Sequence, residues 1–191
     1  MKYIAIFASG NGSNAENIAN YFGSSNSIRV GAILCNNSNA YVVERAKNMG
    51  IPYFVFSKEQ LNETGEVSAY LHRNNISFIV LAGFLWLLPQ DITAKYDHRI
   101  LNIHPSLLPK YGGKGMYGNK VHQAVIDAGD VVSGITIHRV NEYYDDGDIV
   151  CQKMCTVEPT DTAESLASKV HALEYEWYPK VIENEVTNYT I

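Results

Sequence analysis

The chain has 191 residues, with 15 Lys+Arg against 20 Asp+Glu, a net charge of −5, 46% hydrophobic and 18% charged residues. Such proportions bury a core and exclude intrinsic disorder. The acidic balance argues against a nucleic-acid or membrane-surface partner, whose affinity would come from a basic face. The length fits one domain over residues 1–191, large enough to fold without disulfide or metal staples. Cys35, Cys151 and Cys155 make an odd count with no C-x-x-C, which suits a reduced, cytoplasmic interior. No stretch approaches the ~20 apolar residues of a membrane helix.

Residues 3–8 read as a first strand, ending in Ser9-Gly10-Asn11-Gly12-Ser13-Asn14 and feeding a helix over 15–22. A second strand over 28–35 runs into four polar residues, Asn36 to Asn39, before a helix from about 40 to 49. Gly50-Ile51-Pro52 stops that helix, since glycine suits a helix end and proline cannot continue one. A third strand over 53–56 and a helix over 66–74 follow. Residues 77–82 have no polar alternation, the pattern of a strand buried on both faces. A strand over 99–103 precedes a glycine-dense loop over 112–118 and a helix near 120–128. Two strands, 133–140 and 148–157, lead to a C-terminal helix over about 162–184, with Thr160 or Asp161 as its cap. The alternation predicts an α/β fold: a mostly parallel twisted sheet with helices on both faces and a Rossmann-like N-terminal half. Its ligand crevice should lie off the carboxyl ends of the strands, at residues 9–14, 83–88 and 102–109.

Gly10-x-Gly12-x-x-Ala15, after a strand and opening a helix, is suited to phosphate, because glycines admit backbone N–H groups and a helix N-terminus adds partial positive charge. A dinucleotide reading weakens here, because the end of the second strand carries no carboxylate for ribose hydroxyls. In Asn102-Ile103-His104-Pro105-Ser106-Leu107-Leu108-Pro109, strand alternation puts Asn102 and His104 on one face, and two prolines stiffen the loop. Asp145, Asp146 and Asp148 surround Gly147. That turn is a solvated feature, a weak cation site, or the source of an aspartate that faces His104 and holds it charged, and spacing does not choose which aspartate. No metal-ligand spacing is present.

With Ala82-Gly83-Phe84 and the Asp145-x-Gly147 turn, these motifs resemble the phosphoribosylglycinamide formyltransferase family of folate-dependent enzymes, in order along nearly the whole chain. The resemblance implies formyl transfer from 10-formyltetrahydrofolate to the amine of 5′-phosphoribosylglycinamide in purine biosynthesis, without a metal. It implies small-molecule substrates, no nucleic-acid or membrane partner, and a monomer or homodimer. It assigns Asn102, His104 and Asp145 to catalysis. Asn102 and a protonated His104 would donate to the oxyanion, and Asp145 would raise the pKa of His104. Gly12, Ser13, Asn14 and Glu174 would hold the ribonucleotide, with Gly12, Ser13 and Asn14 on its phosphate. Gly65, the backbone of Leu85, Trp86, Leu87 and Leu88, Asn102, and Asn141, Glu142, Tyr143 and Tyr144 would line the folate pocket. Asp145-Asp146-Gly147-Asp148 departs from the more usual Asp-Gly-Gly-Pro and resembles methionyl-tRNA formyltransferase. A related transferase with a methionyl-tRNA or sugar-amine acceptor, a formyltetrahydrofolate hydrolase, and a non-catalytic nucleotide-binding module are the competing readings.

Overall fold

The computed structural model describes residues 1–189. One seven-stranded sheet is built from β1 (Lys2–Ala8), β2 (Ile28–Cys35), β3 (Tyr53–Val55), β4 (Ile76–Leu81), β5 (Ile100–His104), β6 (Val132–Arg139) and β7 (Ile149–Thr156). Their spatial order is β3-β2-β1-β4-β5-β6-β7. The pairs from β3 through β5 are parallel, while β6 and β7 add antiparallel. The order reverses beside β1, so a crevice opens between the loops after β1 and β4.

Helices α1 (Ser13–Phe22), α2 (Tyr41–Asn48), α3 (Lys58–Asn62), α4 (Glu66–Arg73), α5 (Gln90–Lys95), α6 (Asn119–Asp127) and α7 (Ala163–Asn188) complete the fold. Two apolar clusters form on the sheet. The larger joins Ile4, Ile6, Ile33, Leu101 and Ile137 to α1, α2 and α7. The other packs Phe7, Leu34, Ile79 and Ile100 against α4 and α5. Central strands buried on both faces explain the uninterrupted apolar run at the end of β4.

Several boundaries differ from the sequence expectation. Helix α1 starts at Ser13, two residues early, because Gly12 takes φ +76° and lets the chain turn straight into the helix. Helix α3 was not expected, although Ser57 and Gln60 form a reciprocal capping box at its start. Helix α5 spans six residues after Pro89, too short for a periodic signal. The cap of α7 is Thr162, whose hydroxyl accepts from Ser165 N–H, in place of Thr160 or Asp161. That helix also continues to Asn188. Among the described residues, no helix is long and apolar enough to cross a membrane.

Candidate active site

A cavity of about 460 Å³ lies off the carboxyl ends of β1, β4 and β5. Its floor comes from the Gly10–Asn14 turn with His171 and Glu174, one wall from Ala82–Leu85, and another from Asn102–Pro105 with Tyr144, Asp145 and Gly113–Gly118. Gly12, Ser13, Asn14, Leu85, Asn102, His104, Tyr144, Asp145 and Glu174 therefore meet around one space. Gly65, Trp86, Leu87, Leu88, Asn141, Glu142 and Tyr143 do not line it. Trp86 and Leu88 instead turn toward the core, Trp86 edge-on to Phe56 and Phe84.

At the floor, the first helical bond of α1 runs from Glu16 N–H to the Gly12 carbonyl. The N–H groups of Ser13, Asn14 and Ala15 thus have no helical partner, the arrangement that receives an anion. Any side chain at Gly12 would collide with Val42, so glycine is required for packing as well as for φ. Asn14 is arranged differently from a phosphate donor. Its Nδ2 donates to Glu174 Oε2 at 2.9 Å, and its Oδ1 is buried without a partner. Glu174, on α7, is itself 4% exposed, and its Oε2 also faces His171 Nδ1 at 2.8 Å. That hydrogen bond raises the His171 pKa against the opposing effect of its burial. The Asn14 and Glu174 oxygens call for a donor, such as a hydroxyl or an amine.

On the wall, strand alternation sets Asn102 and His104 side by side, and the β6–β7 connection brings Asp145 to both. Asp145 takes φ +53°. Its Oδ2 accepts Gly113 N–H at 2.9 Å and stands 3.5 Å from His104 Nδ1. A Cβ at Gly147 would strike the Arg139 carbonyl, so only glycine lets this turn press back against β6. Burial works to raise the Asp145 pKa, but His138, His104 and the Gly113 N–H together hold it below the usual carboxylate value.

Two features correct the sequence expectation. The His104 pKa lies below the ordinary imidazole value, because burial at 4% exposure outweighs the upward effects of Asp145 and the Tyr111 carbonyl. His104 Nε2 is 2.7 Å from that carbonyl, so its N–H is already engaged by the residue that precedes the 112–118 loop. Asn102 likewise offers no free N–H: its Nδ2 lies 3.0 Å from His138 Nε2 and 3.4 Å from Asp145 Oδ1. The sequence reading missed His138, whose proximity depends on an antiparallel register that the sequence does not display. His171 was also missed, although its position one turn before Glu174 on α7 could have drawn it in. Among the described residues, no group of three or more His, Cys, Asp or Glu side chains could hold a metal ion.

Residues 2–182 match the family described as formyl transferase. Phosphoribosylglycinamide formyltransferase of Bacillus subtilis is 38% identical over 188 residues, covering 96% of this chain and 94% of that protein. The chloroplastic enzyme of the same name from Vigna unguiculata is 41% identical over 95% of this chain, which spans 60% of that relative's length. The crystal structure of phosphoribosylglycinamide formyltransferase from Anaplasma phagocytophilum superposes with a TM-score of 0.89 at 33% identity, over 98% of this chain and 87% of the other. The chain belongs to the formyl transferase family.

Proposed function

We propose that this formyl transferase moves the formyl group of 10-formyltetrahydrofolate to the primary amine of 5′-phosphoribosylglycinamide, a step of purine biosynthesis. What supports this most is the convergence of Asn102, His104 and Asp145 on a cavity whose far end is an anion-ready helix start. The names of the relatives point the same way. The unpaired N–H groups of Ser13, Asn14 and Ala15 suit the phosphate, and the buried oxygens of Asn14 and Glu174 suit ribose hydroxyls. Leu85 and Tyr144 bring exposed apolar surface to the rim, which suits the planar ring of a folate donor. Three unpaired cysteines suit a reducing compartment, the cytoplasm.

The neutral amine adds its lone pair to the formyl carbon, and the carbonyl π pair moves onto oxygen. His104 stabilises that oxygen through Nε2–H, a donor that the neutral ring already carries. The lowered pKa of His104 is therefore no obstacle, but the Tyr111 carbonyl must release the hydrogen first. Negative charge growing on the oxygen also favours the imidazolium, and Asp145 supports it from the Nδ1 side. A proton leaves the attacking nitrogen and reaches the departing folate nitrogen as the old C–N bond breaks and the C=O bond reforms. No side-chain nucleophile takes part.

An acceptor panel tests the reading. Tetrahydrofolate release is expected with 5′-phosphoribosylglycinamide and not with methionyl-tRNA, an amino sugar or water alone. Release without any amine would make the protein a hydrolase, and preference for another acceptor would refute the assignment.

A further inference from the structure

Every polar atom that faces the Asn102 amide nitrogen is an acceptor. His138 on β6 lies opposite Asn102 in the β5–β6 register and is 2% exposed. Its Nδ1 is 2.9 Å from the Arg139 carbonyl oxygen, so Nδ1 carries a hydrogen. Its Nε2 is 3.0 Å from Asn102 Nδ2, and since an amide nitrogen only donates, Nε2 presents a lone pair. The carboxylate oxygen Asp145 Oδ1 stands 3.4 Å from the same Nδ2. Two acceptors thus claim the two amide hydrogens. Turning the amide over would set its oxygen against a carboxylate and a ring lone pair. Asn102 Oδ1 accepts no hydrogen bond from protein among the described residues, and it is the end of the amide left for the cavity.

We propose that His138 is the positioning residue of this site: held as the Nδ1–H tautomer by Arg139, it locks the Asn102 amide so that Oδ1 receives an N–H of the attacking primary amine. Asn102 then aims the amine's lone pair at the formyl carbon, and of Asn102 and His104 only His104 serves the oxygen. The inference deepens the proposed function and rests on it for the identity of the amine. The tautomer lock itself belongs to the free protein. The competing arrangement, the one in which His138 helps to lower the Asp145 pKa, is an imidazolium His138 that donates Nε2–H to Asp145 Oδ1, now 3.6 Å away, with Asn102 reversed and its NH2 turned outward. His104, Asp145 and Asn102 are the polar side chains that decide between the two.

Long-range 1H–15N spectra of the ligand-free protein at pH 8 distinguish them without any turnover. The expected result is the Nδ1–H tautomer at His138 and two slowly exchanging Asn102 amide hydrogens. An Nε2–H tautomer or an imidazolium would overturn the proposal. In steady-state kinetics with 5′-phosphoribosylglycinamide, His138→Leu should lower kcat about tenfold with little change in KM, since a misaimed reacting group is felt in turnover. His138→Gln, which restores an acceptor near the Nε2 position, should recover most of that loss. In an Asn102→Ala background, His138→Leu should cost less than about twofold. An equal cost in both backgrounds would reduce His138 to a structural role. If His138→Leu does not fold, the spectra of the unaltered protein still decide. If those spectra agree while 5′-phosphoribosylglycinamide is not a substrate, the lock stands and the acceptor assignment falls.

Discussion

Replacing Tyr178 with Phe tests how α7 is tied to the sheet. Tyr178 is fully buried, and its hydroxyl donates to the Leu81 carbonyl at 2.9 Å and the Leu101 carbonyl at 3.1 Å. Those carbonyls end β4 and precede Asn102 in β5, so one phenol joins the two strands at the cavity edge. Burial also holds the phenol protonated, with its pKa well above the ordinary value. Phe keeps the ring and deletes one oxygen, leaving buried acceptors without their donor and almost no new cavity. Such a loss costs about 1–3 kcal/mol, which for a domain of this size lowers Tm by about 2–12 °C. Urea titration should show a lower midpoint with an unchanged m-value. Tyr21→Phe is the control: its hydroxyl bonds Glu183 on the surface, and a change within about 0.5 kcal/mol is expected. If Tyr178→Phe proved as stable as Tyr21→Phe, the bridging argument would be wrong.

Three further outcomes are expected. His104→Ala should lower kcat roughly 100- to 1,000-fold, the usual cost of a missing oxyanion donor, and near-normal single-turnover rates would refute its role. Ser13→Ala should weaken 5′-phosphoribosylglycinamide binding by about 1.5–3 kcal/mol while leaving folate affinity in place; calorimetric titration of each ligand would expose the reverse pattern. Stability should fall as pH drops below about 6.5, because burial depresses the pKa values of His104 and His122 and the unfolded chain takes up their protons first. His171, with a raised pKa, contributes in the opposite sense, stabilising below that pH and losing its effect as pH rises. A urea midpoint that rose between pH 7.5 and 5.5 would contradict the dominance of the two buried rings.

The alternation of strands and helices was legible because the central strands are apolar throughout and their turns carry glycine and polar runs. The glycine turn at Gly10–Asn14 and the Asn102/His104 pair were legible for a different reason: both depend on spacing along a single segment. Contacts made across the sheet were not. His138 becomes visible only through its pairing with Asn102, and the Tyr111 carbonyl that holds His104 leaves no side-chain signature. Asn14 was legible as a site residue but not in its orientation, which is fixed by Glu174, 160 positions away in the chain. The direction of the His104 pKa depended on how deeply the fold buries it, a quantity that a list of neighbouring charges does not contain.

Helix α7 has a consequence for how the protein is made. It carries Glu174 and Tyr178 to the cavity, and its far end accepts two hydrogen bonds from Lys2 Nζ, at the Val186 and Tyr189 carbonyls. Synthesis delivers the Gly10–Asn14 turn early and this helix late, and translation proceeds at about 5–20 residues per second. Between those moments, the β5–β7 face that α7 covers is exposed on the ribosome, with its apolar side chains unpartnered and the cavity lacking part of its floor. The cavity is therefore complete only when α7 docks and brings His171 and Glu174 to it. The same interval is when the chain is most exposed to aggregation or capture by a chaperone.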